Sequence, residues 1–179
     1  MEFIFVTSNP NKLKEAQRIL GRKLRHSGLD IQEMQSMDCK EVALDKAKSA
    51  YSRLHQPVLI EDTGLYIDCL NGFPGALVKW AEIYLGYRGI CNLVERKNRG
   101  AYAQTVLCLY DGKRARLFSG KATGRIAKEP IGKLGFGFDL IFLPTGSNLT
   151  FAQMSPEEKD KISHRTKAFQ ALARHLKKL

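Results

Sequence analysis

The sequence contains no long hydrophobic run, no closely spaced pair of cysteines and no internal repeat. No apolar stretch approaches the roughly 18 residues that a membrane-spanning helix needs, so we expect no membrane association. The four cysteines lie far apart and form no CxxC pair, which argues against a zinc site and a disulfide framework. The GxxxxGK[ST] phosphate-binding pattern is also absent. These absences predict a soluble, reduced protein with a cytoplasmic location.

Acidic residues are few relative to basic ones. The chain has 29 Lys and Arg but only 18 Asp and Glu, a net charge of +11. Such an excess suits a nucleic acid, a membrane surface or a small polyanion such as a nucleotide. Because the basic residues are scattered rather than interleaved with aromatics, a nucleic-acid-binding module is the alternative and not the first choice. With 179 residues, 44% of them hydrophobic, the chain predicts one domain over 1–179, with two lobes.

Helical and strand-like periodicities alternate along the chain, which predicts the α/β class with a mixed sheet and flanking helices. Asn9 and Pro10 are typical of a helix start and Gly21 of its end, and Asp38 with Glu41 matches a capping box for a helix over 42–54. A hairpin is predicted for 101–110 and 114–122, which are joined across Asp111-Gly112. Further elements are predicted as strands at 3–7, 29–31, 58–60 and 140–143, short helices at 76–84 and 88–97, and helices beginning after Ser155 and Ser163.

The most informative feature is an apolar run at 58–60 that stops in two adjacent acids, Glu61 and Asp62. We expect the strand to end there, where open α/β sheets place their active sites. Paired carboxylates are ligands for hard divalent cations, and in a basic chain they predict a metal in a basic cleft. Alternatively, the two acids only face solvent, which is the commoner situation for an isolated Glu-Asp pair. Glu33 is the best-placed candidate for a further metal-binding carboxylate. Alternatively, it is a loop glutamate that only faces solvent.

Three other segments have residue types suited to binding a nucleotide. The first joins a buried strand to a helix N-terminus, where free N–H groups and a lysine favour a phosphate, although an ordinary helix cap explains it equally well. The second alternates glycine with aromatics, so that a ring can stack on a planar ligand or fill the core. The third puts cations and an imidazole at a helix junction, where the alternative is a solvated basic face. These segments are Thr7, Ser8, Asn9, Pro10, Asn11 and Lys12; Phe136, Gly137, Phe138 and Asp139; and Lys159, His164 and Arg165.

Taken in order along residues 7 to 165, these motifs and the loop 71–75 resemble the inosine triphosphatase family, also called Ham1. The resemblance implies hydrolysis of ITP, dITP and XTP to the monophosphate and pyrophosphate, with Mg²⁺ as cofactor. It implies an elongated mixed α/β fold with the nucleoside triphosphate in a cleft between two lobes, commonly in a homodimer. A nucleotide phosphatase of the same fold with a different base preference is a further alternative.

The same resemblance assigns roles to individual residues. Asp62 would bind magnesium and orient or deprotonate the attacking water, with Thr63 nearby and Glu33 as the second metal ligand. The phosphate cradle would comprise Thr7, Ser8, Asn9, Pro10, Asn11 and Lys12, aided by Lys46, Lys79 and Lys159. The base would be held by Phe136, Gly137, Phe138 and Asp139, with Phe138 stacking, and its edge read by His164 and Arg165. The chain departs from the family pattern at Ser36, Leu77 and Leu140.

Arg165 carries a physical expectation about the base. Its guanidinium only donates hydrogen bonds, so it suits the 6-keto oxygen of hypoxanthine or xanthine. The 6-amino group of adenine would place donor against donor, a mismatch of about 1 to 3 kcal/mol when buried. ATP is therefore expected to be a poor substrate.

Overall fold

The computed structural model describes residues 2–178 and contains a seven-stranded mixed sheet. The strands are β1 (Ile4–Val6), β2 (His26–Ser27), β3 (Val58–Ile67), β4 (Pro74–Gly75), β5 (Gly100–Tyr110), β6 (Ala115–Ile126) and β7 (Phe142–Pro144). Their order is β2-β1-β3-β5-β6-β7, and β4 pairs with β3. The β1–β2 and β1–β3 pairs are parallel and the other pairs antiparallel. The predicted α/β class with a mixed sheet is confirmed, and the division into two lobes stays a prediction.

Within residues 2–178, five α-helices flank the sheet, and four of them begin after a predicted capping residue. They are α1 (Pro10–Leu20), α2 (Cys39–Leu54), α3 (Val78–Leu93), α4 (Pro156–Ile162) and α5 (His164–Leu176). Asn9, Asp38, Ser155 and Ser163 accept hydrogen bonds from the first turns of α1, α2, α4 and α5, and Gly21 ends α1 in the left-handed conformation. None of the helices within 2–178 is both long and apolar enough to cross a membrane.

Hydrophobic side chains fill both faces of the sheet. Helix α2 covers one face, where Ile60, Val106 and Cys108 meet its alanines. Helices α1 and α5 cover the other, where Leu59 and Phe169 are fully buried. A third hydrophobic cluster packs against α3 and includes Phe138. Because successive residues of a strand face opposite sides, adjacent residues of β3 contribute to different layers.

The predicted end of the central strand is wrong. Strand β3 runs through Glu61 and Asp62 to Ile67 and pairs with β5 along its whole length. What stops at Ile60 is the parallel pairing with β1, which pairs only with residues 58–60. The acids therefore lie inside a strand, at the point where its neighbour β1 ends and one edge becomes accessible from the β1–α1 loop.

Other boundaries also differ from expectation. The second strand forms at His26–Ser27 and not at 29–31, and the last strand begins at Phe142 after a 3₁₀ turn over Gly137–Leu140. The predicted pair of short helices at 76–84 and 88–97 is present as the two segments of α3, which Gly86 separates with a non-helical φ of 65°. Of the predicted capping box of α2, Asp38 is the N-cap as expected. Glu41, its expected partner, instead accepts a hydrogen bond from the Ser36 hydroxyl at 2.6 Å.

A close contact between α5 and β6 fixes the start of α5. A Cβ atom built on Gly120 would lie 2.1 Å from the backbone oxygen of His164 and 2.5 Å from the nitrogen of Ala168. Only a residue without a side chain allows the helix to come this near to the strand. This packing holds His164 and Arg165 over the sheet, beside the two acids of β3.

Candidate active site

Two adjoining hollows open next to the acids of β3. The inner cavity, of about 190 Å³, is lined by residues of β3, the start of α3, the 3₁₀ turn over Gly137–Leu140 and the start of α5. The loop groove, of about 460 Å³, follows the β1–α1 loop, residues 29–31 and the side of α2. They share Asn9, Lys12, Glu33 and Lys79, so they form one continuous cleft.

The β1–α1 loop presents a helix N-terminus to the loop groove. The Asn9 side chain accepts hydrogen bonds from the backbone N–H groups of Asn11, at 2.9 Å, and Lys12, at 3.3 Å. Thr7 Oγ1 accepts from the Asn9 N–H at 3.2 Å, which fixes the turn. Of the predicted cradle, Thr7, Ser8, Asn9, Pro10 and Lys12 line the groove. Asn11 is exposed and lies outside both hollows.

Lysines give the loop groove its positive charge. Lys12, Lys46 and Lys79 all line it, as predicted for residues that contact phosphates. Lys12 Nζ lies 3.6 Å from Glu61 Oε1 and 3.5 Å from the Glu61 backbone oxygen. Lys46 Nζ lies 2.5 Å from Glu33 Oε1. Three cations beside a helix N-terminus make this groove suited to a polyanion.

Asp62 faces the cleft with an unpaired oxygen. Its side chain is buried on the α2 side of β3, and within the described residues Oδ2 has no hydrogen-bond partner. Burial raises the pKa of Asp62, and the charges of Lys12 and Lys46 partly oppose this effect. A buried carboxylate oxygen without a partner indicates a missing ligand or proton.

Asp62 and Glu33 would supply two carboxylates to the predicted metal site. Both line the inner cavity, and no group of three or more His, Cys, Asp or Glu residues within 2–178 is suited to a metal on its own. Mg²⁺ is commonly held by one or two carboxylates together with substrate phosphates and waters, so two are sufficient. Partial desolvation would raise the pKa of Glu33, but the hydrogen bond and charge of Lys46 lower it, which keeps the carboxylate ionised.

Glu61 belongs to a buried ionic network on the opposite face of β3. Arg165 Nε lies 3.1 Å from Glu61 Oε1 and 3.2 Å from Oε2, and Nη2 lies 2.9 Å from Oε1. Arg165 Nη1 also pairs with Glu15 on α1. Lys159 completes the network through Glu15 at 2.9 Å and Asp139 at 2.6 Å. This network joins α1, β3, the 3₁₀ turn and the α4–α5 junction into one rigid unit.

The network restricts three residues that were expected to contact substrate. Lys159 is buried in ion pairs and lines neither the inner cavity nor the loop groove, so the structure does not bring it to the phosphate cradle. Asp139 accepts from Lys159 and from the Phe136 N–H at 2.8 Å. Arg165 lines the inner cavity, but most of its donors already face Glu61 and Glu15.

Aromatic side chains and His164 form the wall of the inner cavity. His164 is buried, and neither ring nitrogen has a partner among the described residues. Burial, followed by the charge of Arg165, holds the pKa of His164 well below its usual range, so the ring is neutral and offers one donor and one acceptor. Phe138 is buried in the core, with its ring centroid 5.7 Å from that of His164.

Phe136 and Phe138 differ in environment. The 3₁₀ turn begins at Gly137 with φ 60°, which sends the two rings in different directions. Phe136 is partly exposed, and the Lys159 and Arg165 cations each lie 5.2 Å from its ring centroid. Both rings line the inner cavity, and the stacking role of Phe138 stays a prediction.

Sequence reasoning missed two acids of this region, Glu15 and Glu82. Glu15 follows Lys12 by three residues and precedes Ala16, so it falls on the buried face of α1, which was a readable signal. Glu82 lines the inner cavity from α3, and only the tertiary packing of α3 on the 3₁₀ turn brings it there. Thr63, which was predicted, lines the cavity and donates to Glu61 Oε1 at 3.1 Å.

Comparison with known proteins agrees with this geometry. Residues 3–175 match the Ham1 family model. A dITP/XTP pyrophosphatase of Thermococcus kodakarensis is 40% identical over 99% of this chain and 98% of its own length. An inosine triphosphate pyrophosphatase of Saccharomyces cerevisiae is 39% identical over 98% and 95%. The structure of a HAM1 protein from Coxiella burnetii superimposes with a TM-score of 0.87, at 30% identity and complete coverage of both chains.

Proposed function

The chain belongs to the Ham1 family, and from this we propose that it hydrolyses deaminated purine nucleoside triphosphates, namely ITP, dITP and XTP, to the monophosphate and pyrophosphate. The observation that carries the proposal is the buried, unpaired Oδ2 of Asp62, which faces a cleft lined by lysines in a chain with pyrophosphatase relatives. The nucleic-acid-binding alternative has no comparable support.

The reaction places water on the α-phosphorus and breaks the bond from that phosphorus to the oxygen bridging to the β-phosphate. The loop groove would hold the triphosphate, with the N–H groups of the α1 N-terminus and the Lys12, Lys46 and Lys79 ammonium groups offsetting its charge. Asp62 would orient the attacking water and take its proton.

Magnesium dependence is part of the proposal. Asp62 and Glu33 would hold Mg²⁺, which when bound would offset the negative charge of the phosphate oxygens. Lys46 supports this arrangement because its contact with Glu33 keeps that carboxylate ionised and fixed.

The inner cavity would receive the base. His164 offers one hydrogen-bond donor and one acceptor. Some Arg165 donors are not directed at Glu61 or Glu15, and these can hydrogen-bond to a 6-keto oxygen but not to a 6-amino group. Phe136 and Phe138 supply ring surface at the cavity wall.

The test measures pyrophosphate release from ITP, dITP, XTP, GTP and ATP with Mg²⁺, together with identification of the second product. We expect monophosphate from the first three, little reaction with ATP, and loss of activity when the metal is chelated. Asp62→Asn should lower kcat by about 100-fold or more, as for loss of a general base. Asp160→Asn, which removes a partly buried partner of Arg18 outside the cleft, is the matched control and should leave the rate unchanged. Full activity of Asp62→Asn would contradict the assigned role, and diphosphate as product would contradict the reaction.

We also propose a homodimer and a cytoplasmic location, in keeping with the resemblance. Helix α3 exposes Trp80, Ile83, Tyr84 and Leu85, an apolar surface of the kind found at subunit contacts. Light scattering should give twice the 20.2 kDa chain mass, and Tyr84→Asp should lower it. A wild-type mass of one chain would contradict the dimer.

A further inference from the structure

Lys46 acts on both of the carboxylates that would hold the metal. Its Nζ lies 2.5 Å from Glu33 Oε1, and the two side chains are 15% and 45% exposed, so the pair is accessible enough to exchange partners. Burial raises the pKa of Asp62, and the charges of Lys12 and Lys46 partly oppose that effect. One ammonium group therefore compensates Glu33 by contact and Asp62 through its charge, as a bound cation would.

The contact with Lys46 also holds Glu33 in position. Glu33 lies between β2 and α2, in a segment that is neither helix nor strand, whereas Lys46 lies in the middle of α2. An ion pair to a helix is a more rigid support than the loop itself provides. It keeps the Glu33 carboxylate at the cleft before any ligand has bound.

Lys46 faces the phosphate side of this carboxylate. Glu33 lines both the inner cavity and the loop groove, while Lys46 lines only the loop groove, in which the triphosphate would lie. The Lys46 ammonium group thus stands between the proposed metal position and the proposed phosphate position. It can reach a partner on either side.

A metal and Lys46 cannot both use the same oxygen of Glu33. Mg²⁺ binds to carboxylate oxygens, and a lysine ammonium donates its hydrogen bonds to the same lone pairs. Two cations on one carboxylate also repel each other. Because the lysine stem is flexible, its Nζ can leave Glu33 without movement of α2. In the loop groove it would then meet the negative charge of the triphosphate.

We propose that Lys46 is an exchangeable partner of Glu33, which holds this carboxylate in the metal-free protein and turns to the triphosphate when the metal binds. Lys46 is then a positioning residue for the metal ligand as well as a phosphate contact. The inference rests on the proposed function, since it concerns the metal and the phosphates of the same cleft. It predicts effects of opposite sign: Lys46 weakens metal binding without nucleotide and strengthens the reaction with it.

The first measurement is a titration of the nucleotide-free protein with Mn²⁺ alone, followed by the electron paramagnetic resonance signal of the free ion. Mn²⁺ takes the same carboxylate and water ligands as Mg²⁺. Lys46→Met should lower the Kd for Mn²⁺ by about 3-fold to 10-fold, because a competing cation in a partly exposed ion pair is removed. Lys46→Arg keeps the charge and can keep the contact, so its Kd should stay near that of the wild type.

Two controls separate the contact from the general positive charge of the groove. Lys79 affects the pKa of Glu33 through its charge alone, more weakly than Lys46 does by hydrogen bond and charge against the effect of burial. Lys79→Met should therefore lower the Kd for Mn²⁺ by less than about 2-fold. In a Glu33→Gln background, Lys46→Met should likewise change the Kd by less than about 2-fold, because the two residues act as a coupled pair.

The second measurement is kcat/KM for ITP at fixed Mg²⁺, which Lys46→Met should lower although it tightens binding of the metal alone. Unchanged or weaker Mn²⁺ binding by Lys46→Met overturns the proposal, and so does equal tightening by Lys79→Met. Absence of Mn²⁺ binding by both the wild type and Lys46→Met overturns it as well. Tighter Mn²⁺ binding with no fall in kcat/KM overturns the transfer of Lys46 to the triphosphate.

The proposed function is decided separately, because the titration needs no nucleotide. If the wild type releases pyrophosphate from none of the nucleotides, the proposed function fails, while the Mn²⁺ titration still decides whether Lys46 and a metal exchange on Glu33. If pyrophosphate is released but Lys46→Met does not tighten Mn²⁺ binding, the exchange is wrong and the proposed function stands.

Discussion

Replacing Glu15 with glutamine should destabilise the protein strongly, although this residue lies on a surface helix. Glu15 is buried and pairs with Lys159 and Arg165. Removing one partner of a buried ion pair costs about 3 to 5 kcal/mol because the remaining charge loses its compensation. Arg165 keeps Glu61 and Lys159 keeps Asp139, so we expect the lower end, about 3 kcal/mol. For a chain of this size, that corresponds to a fall in Tm of about 6 to 12 °C.

The pH dependence of this effect follows from the pKa of Glu15. Burial alone would raise it, but Arg165 and Lys159 hold it below its ordinary value. The stabilisation is therefore fully present above the unfolded pKa of about 4.3 and is lost as the pH falls through the lower folded value. The difference between wild type and Glu15→Gln should be constant at neutral pH and narrow in acid below about pH 4.

Urea denaturation followed by circular dichroism, at neutral and acidic pH, measures this difference. The matched control is Glu129→Gln, which removes an exposed ion pair with Arg88 and should cost about 0 to 0.5 kcal/mol. A cost below about 1 kcal/mol for Glu15→Gln at neutral pH would refute the argument that the network is a tightly coupled unit. An equal difference at all pH values would refute the assigned role of the carboxylate charge.

Two further predictions concern the cleft. Lys46→Met should lower kcat/KM for ITP about 10-fold to 100-fold, as expected for loss of a charge-assisted phosphate contact. Lys113→Met, at the exposed β5–β6 turn, is the control and should not change it. Equal kcat/KM in the two variants would contradict the placement of the triphosphate. Glu82→Gln should stabilise the protein at about pH 8 and have little effect at about pH 5, because a carboxyl whose folded pKa of about 7 lies above the unfolded value destabilises the fold as it ionises. Partial exposure limits this gain to about 1 to 2 kcal/mol, and melting curves that show no gain at the higher pH would contradict it.

Local signals in the sequence predicted most of the secondary structure. The caps at Asn9, Ser155 and Ser163 and the hairpin turn at Asp111-Gly112 are settled by neighbouring residues, and the structure has these elements as expected. The failures occurred where tertiary pairing overrides a local pattern. Polar residues suggested that the central strand ends at residue 60, but pairing with β5 on one side extends it to Ile67.

Many residues that line the cleft were predictable from the sequence, but the ion pairs around it were not. The β1–α1 loop, Glu33, Asp62 and His164 were identified from the sequence, and the structure brings them around one cavity. That Lys159 is occupied by Glu15 and Asp139 depends on residues 144 and 20 positions away along the chain, which no local pattern reports. The position of Glu82 likewise depends on how α3 packs against the 3₁₀ turn.

Strand geometry explains why Glu61 and Asp62 cannot share one function. Successive side chains of a strand point to opposite faces, so an unbroken β3 sends Glu61 toward α5 and Asp62 toward α2 and the cleft. On its face Glu61 meets the Arg165 guanidinium, which holds the pKa of the carboxyl low against the effect of burial. On the other face Asp62 meets only partial compensation from Lys12 and Lys46, which leaves an oxygen free for a ligand. Had the strand ended at residue 60, both acids could have turned toward one side; because it continues, Glu61 pairs with Arg165 at the start of α5 while Asp62 lines the cleft.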